Sequence, residues 1–183
     1  MSRVCVLLAP GFEEIEAVTI IDVLRRAEIE VITLSVEDGL EVKGSHGILV
    51  RADSTLADGA REAWDMVILP GGMPGSTHLR DHAGVQELIR KQHQRGGMLA
   101  AICAAPIVLG AAGVLVGKKV TSYPGFEKEL TGATPTTDSV VKDGNIVTSR
   151  GPGTALYFAL EIVAELGGRP LADKLRWAML VGA

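Results

Sequence analysis

The chain is poor in cysteine: only Cys5 and Cys103 occur among 183 residues. Two thiols cannot build a disulfide framework, and no basic, apolar leader with a small-residue cleavage site precedes the first apolar run. A reducing cytoplasm is therefore the expected compartment. Aromatic residues make up only 4% of the chain, so Val, Ile, Leu and Ala have to fill the core. There is no basic block, and the formal net charge is -4; neither nucleic acid nor an acidic membrane surface would be attracted. Histidine is scarce too. His46, His78, His82 and His93 form no HxH or HExxH arrangement, which gives a zinc site no support. His78 and His82 flank Asp81 and would share a face only if that segment were helical. No GxGxxG or GxxxxGK follows a strand-like run, so nicotinamide and nucleoside triphosphate sites are not indicated. No metal and no cofactor are expected.

What the chain does contain is an alternation of apolar strands and amphipathic helices. With 183 residues, 47% of them apolar, one domain over residues 1–183 is expected. Val4 to Ala9 reads as a strand buried on both faces and ended by Pro10-Gly11. After Glu13, Ile15, Val18, Ile21 and Leu24 recur at helical spacing, with Glu13, Glu14 and Glu16 at the positive end of the helix dipole and Arg25 and Arg26 at the other. Glu30 to Val36 then completes a βαβ unit, which implies parallel sheet. Leu40 to Arg51 reads as a hairpin or sheet extension around Lys43-Gly44-Ser45. Met66 to Leu69, Met98 to Ile102, Val116 to Ser122, Ser139 to Val141 and Ile146 to Thr148 are further strands. Val85 to Arg95, Ala104 to Ala112, Thr154 to Leu166 and Leu171 to Val181 are helices. The uncharged stretch from Gly96 to Gly117 is long enough to span a bilayer, but Pro106, Gly110 and Gly113 inside it suit a buried strand followed by a helix.

In an open parallel sheet, groups at the carboxyl ends of different strands converge on one crevice. Three turns meet that condition: Pro10-Gly11, Pro70-Gly71-Gly72 and Cys103-Ala104. Cys103 closes a strand and opens a helix, where unpaired amides and the helix dipole favour thiolate and lower the thiol pKa. The alternative is a buried small hydrophobe, the role expected of Cys5. Gly71 and Gly72 permit a turn that aims amides at a ligand, although an ordinary strand exit would use the same glycines. The amides of Gly72 and Ala104 are candidates for holding the negative oxygen formed when sulfur adds to a carbonyl. Glu16 lies one turn into the first helix, near the edge of the expected apolar stripe. It either compensates the helix dipole or, if buried without a partner, has a raised pKa and exchanges protons with a substrate beside the thiolate. Arg150-Gly151-Pro152-Gly153-Thr154 precedes a helix and could bind an anion, although a helix entry with Thr154 near the cap needs no ligand.

Leu8 to Val18, Leu69 to Gly72, Ala101 to Pro106 and Thr148 to Thr154 together resemble the ThiJ/PfpI family, in the branch of the Parkinsonism-associated protein deglycase and its bacterial relatives. The resemblance covers nearly the whole chain. It implies a flavodoxin-like three-layer α/β sandwich around a mostly parallel sheet, usually as a homodimer. It also implies Cys103 as nucleophile and oxidation-prone thiol, Glu16 as its protonated partner, and the Gly72 and Ala104 amides as oxyanion site. Two departures narrow the function. Peptidase-like members place or recruit a histidine beside the cysteine, whereas Ala104 follows Cys103 here, so a peptidase is disfavoured. Some relatives carry a histidine where Tyr123-Pro124 stands, and tyrosine is a poor base near neutrality. The resemblance thus implies a cysteine-dependent, cofactor-independent enzyme of the glyoxalase III or protein deglycase type, acting on methylglyoxal or glycated adducts. The alternative is a redox-responsive stress protein or chaperone that uses an oxidisable Cys103.

Overall fold

In the computed structural model, which describes residues 2–182, strand β1 (Arg3–Leu8) leads through helix α1 (Glu14–Arg26) to β2 (Glu30–Ser35). β2 pairs parallel with β1, so the βαβ unit read from the sequence is present. The hairpin of β3 (Glu41–Lys43) and β4 (Leu49–Arg51) forms a small antiparallel sheet of its own. Then come β5 (Ser54–Thr55), α2 (Leu56–Gly59), β6 (Met66–Leu69), α3 (Gly75–Asp81), α4 (Ala83–Gln94), β7 (Met98–Ile102) and α5 (Pro106–Ala111). The chain continues through β8 (Lys119–Thr121), β9 (Thr134–Thr136), β10 (Val140–Asp143) and β11 (Ile146–Ser149) to α6 (Ala155–Gly167) and α7 (Arg169–Ala178).

The main sheet runs β10-β11-β7-β6-β1-β2-β5, parallel throughout except for the edge strand β10. From β1 the chain moves outward one way to β2 and later the other way to β6 and β7. That reversal makes the carboxyl ends of β1 and β6 a topological switch point. Side chains alternate across each strand. Val4, Val6 and Leu8 enter a core shared with α1 and α6, while Cys5, Leu7 and Ala9 enter a second core shared with α4 and α5. The result is the three-layer, flavodoxin-like α/β arrangement. The run 96–117 resolves into β7 and the short α5, and among the described residues no helix is long and apolar enough to cross a membrane.

Three local expectations need correction, and strand β9 was missed. On α1 the buried face is Glu16, Ala17, Ile20, Val23 and Leu24, whereas Ile15 and Val18 are 58% and 50% exposed. The helix carries two overlapping apolar stripes, and packing on the sheet and α6 uses the one through Ala17. α5 starts at Pro106 rather than Ala104, because residues 103–105 are spent on the turn. α7 starts at Arg169 and ends at Ala178, leaving Met179 to Val181 outside it. β9 was not legible as a strand because Pro135 lacks a ladder donor; it survives only in a two-stranded pairing with β8.

Candidate active site

Cys103 follows β7 in the left-handed region, with φ of 63°, a conformation that non-glycine residues rarely adopt. Its neighbours hold it there. The Cys103 amide donates to the Ser149 carbonyl at 2.9 Å, and the Tyr123 amide donates to the Cys103 carbonyl at 2.8 Å. Strain of this kind persists where the surroundings over-determine the backbone. The turn lifts the sulfur off the strand end at the switch point, where the residue keeps 9% exposure. The amides of Gly72 and Ala104 both donate toward the sulfur. Gly72 has a φ of 92°, which favours glycine. Gly71 is required for another reason: a Cβ there would lie 2.5 Å from the Cys103 Cβ and 2.7 Å from Glu16 Oε2.

Glu16 has no exposed surface, so it does not merely compensate the dipole. Its Oε2 accepts from the Gly71 amide at 2.7 Å. Its Oε1 has no aligned hydrogen-bond partner, and the polar group beside the carboxyl is the Cys103 thiol. Burial pushes the Glu16 pKa up to about 7, against the opposing pull of the Gly71 amide and the thiol. Burial, then the Glu16 carboxylate, likewise pushes the Cys103 thiol up to about 12, outweighing the Gly72 and Ala104 amides. The amides at the turn favour thiolate as expected, but the expectation of a net acidified thiol is corrected because burial and the Glu16 carboxylate outweigh them. The acid is the pair rather than the thiol alone, because strongly interacting groups titrate together. With a proton on Glu16, the repulsion that raises the thiol disappears and the carboxyl can donate to sulfur.

The other residues singled out in the sequence fall elsewhere or serve the backbone. Cys5 is fully buried in the opposite core, and desolvation pushes its thiol far up. The Thr154 hydroxyl oxygen accepts from the Gly151 amide at 3.1 Å and lies 2.7 Å from the Ser149 hydroxyl, the geometry of a helix entry. His78 Nδ1 donates to the Pro10 carbonyl at 2.9 Å. His82 Nδ1 accepts from the Gly84 and Val85 amides at 3.1 and 3.3 Å and so caps α4. Tyr123, 47% exposed, sets its ring beside Gly151. Two roles were not legible: that the Gly71 amide, expected only to face a ligand, is the partner of Glu16, and that the Ser149 carbonyl anchors the Cys103 turn. The Gly-Gly after β6 was the one available signal for the first.

Residues 2–165 match the DJ-1/PfpI family. Protein dj-1beta of Drosophila melanogaster is 45% identical over 178 residues, which cover 96% of this chain and 95% of that protein. The glutathione-independent glyoxalase DJR-1.2 of Caenorhabditis elegans is 37% identical over 173 residues, covering 93% of this chain and 91% of that protein. Among solved structures, oxidized DJ-1 of Toxoplasma gondii aligns with a TM-score of 0.96 at 38% identity, with 100% of each chain covered.

Proposed function

This chain belongs to the DJ-1/PfpI family, and from that premise we propose that it is a cysteine-dependent, cofactor-independent enzyme acting on methylglyoxal or its adducts. The observation that carries this reading is the buried Glu16 carboxyl set against the Cys103 sulfur, with the Gly72 and Ala104 amides aimed at that sulfur. A relative named as a glutathione-independent glyoxalase supports the substrate class. A reducing compartment such as the cytoplasm suits a free reactive thiol.

In this mechanism the Cys103 thiolate adds to the aldehyde carbon of methylglyoxal, and the carbonyl electron pair becomes an oxyanion held by the two amides. Protonation gives a hemithioacetal. The Glu16 carboxylate removes the proton from the former aldehyde carbon and returns one to the neighbouring carbon. The first carbon is thereby oxidised to a thioester while the ketone carbon is reduced to an alcohol, within one molecule and with no outside oxidant. Water cleaves the thioester, releasing lactate and the thiol. Steady-state lactate formation by chelator-treated protein tests the reading, with Cys103→Ala and Glu16→Gln beside it. Wild-type turnover with both variants inactive supports it; negligible wild-type turnover overturns it.

A second reading, redox sensing at Cys103, is favoured by the same carboxyl, which can donate to a sulfur-bound oxygen. The similar Toxoplasma gondii DJ-1 is described as oxidized. Stoichiometric peroxide followed by mass spectrometry tests it. First oxidation at Cys5 or at a methionine removes its chemical basis.

A further inference from the structure

The loop joining β3 to β4 lies against the start of α1. The Gly11 amide donates to the Lys43 carbonyl and the Ser45 amide to the Phe12 carbonyl, both at 2.8 Å. Two adjacent carboxylates are enclosed by this contact. Glu14 is only 5% exposed, and Glu13 is half-buried. Glu14 Oε1 accepts from the amides of His46 and Ile48 at 2.7 and 3.3 Å. Among the described residues, no lysine or arginine pairs with either carboxylate, and the one titratable cation within reach of both is the exposed His46 imidazole. Buried carboxylates are ordinarily paired with cations or bound to metals, and two of them sharing a single imidazole leave negative charge in excess.

We propose that Glu13, Glu14 and His46, with Ser45 at the fourth corner, form a binding site for a divalent transition-metal ion of the zinc type. The donor atoms stand together at or near hydrogen-bond distances. His46 Nδ1 lies 3.0 Å from Glu14 Oε2 and 3.6 Å from Glu13 Oε2. Ser45 Oγ lies 3.1 Å from Glu14 Oε2, 3.3 Å from Glu13 Oε2 and 3.0 Å from His46 Nδ1. Tetrahedral zinc with bonds of about 2.0–2.2 Å has donor-to-donor edges of roughly 3.3–3.6 Å, so small adjustments of this cage accommodate the ion. A nitrogen donor among oxygens selects zinc and its neighbours over calcium and magnesium, which prefer oxygen alone. The imidazole binds without its Nδ1 proton, which passes to solvent. The ion would rivet the hairpin loop to α1 with neither Cys103 nor Glu16 as a ligand, and its uptake is read separately from the proposed aldehyde chemistry, although the Glu13 charge does reach Glu16.

The test is zinc titration of the stripped, full-length protein against a chromophoric chelator. Wild type is expected to take up one equivalent, with magnesium failing to compete. His46→Ala and Glu13→Gln are each expected to weaken binding by at least about tenfold. Because His46 is exposed, its alanine variant keeps the fold, which circular dichroism checks. Cys103→Ala is the control for zinc captured by the thiol and is expected to retain the full equivalent. Zinc should also raise the melting temperature of Cys103→Ala but not of His46→Ala. Absence of binding in wild type, unchanged affinity in both site variants, or loss of the bound equivalent in Cys103→Ala overturns the proposal.

Discussion

A carboxyl group with no exposed surface is costly to ionise, and at Glu16 that cost becomes a dependence of stability on pH. Its pKa is raised from 4.5 to about 7 in the folded protein, so between those values the native state holds more protons than the unfolded chain. Stability therefore falls as pH rises from about 4.5 through about 7. At about 1.4 kcal/mol per pKa unit, the loss amounts to roughly 3 kcal/mol. Glu16→Gln is expected to abolish most of this slope and to be the more stable protein at pH 8, as read by urea unfolding across the range. Its lactate formation should drop by about 10²–10⁴-fold, because the amide cannot carry the proton. The same substitution removes the carboxylate that raises the Cys103 thiol. Its alkylation inflection should therefore move to lower pH than in wild type, with Cys103 reacting ahead of the enclosed Cys5. An unmoved inflection would separate the two groups.

At the scale of elements, the turn after β6 is the part of the site that tolerates least change. Gly71→Ala would bring a methyl group against the Cys103 Cβ and Glu16 Oε2. Overpacking of this kind costs about 1–3 kcal/mol, and thermal melting together with Cys103 alkylation should register both the loss of stability and the disturbed thiol. The hairpin loop depends on Glu14. Burial opposes ionisation of this carboxyl, but the His46 side chain and the His46 and Ile48 amides outweigh it and hold its pKa at about 2. The stabilisation it supplies is thus present above about 4.5 and is lost as pH falls through 2. Glu14→Gln should speed hydrogen exchange at His46 and Ile48 without affecting the β1 amides. Most strands of the main sheet, the βαβ unit and the hairpin were legible because alternation, turn residues and apolar runs are local signals, whereas β5, β9 and α3 were not. The burial of Glu16 was only half legible, since Ile15 and Val18 suggested one stripe on α1 whereas Ala17, Ile20 and Leu24 form the stripe that packs.

For the whole molecule, the exposed apolar groups include Ile15 and Val18 on α1, Ile48 and Leu49 on the hairpin, and Trp177 and Leu180 at and just beyond the end of α7. The homodimer implied by the family resemblance would cover surface of this kind. Light scattering in the micromolar range should report the mass of two chains, and the mass of one would reject the dimer while leaving the Cys103 chemistry intact. The sequence by itself determined most strands of the main sheet and the long helices, that the sheet is mostly parallel, and that Cys103, Gly72 and Ala104 stand at strand exits. Those properties follow from residues adjacent along the chain. Only the tertiary structure decided that Glu16 meets the Gly71 amide across 55 positions and that His46 meets Glu14 across 32. Those pairings depend on the order of strands in the sheet and on how the hairpin folds back over α1. Neither the raised Glu16 proton affinity nor the enclosed donor cage at the loop exists until that order has been set.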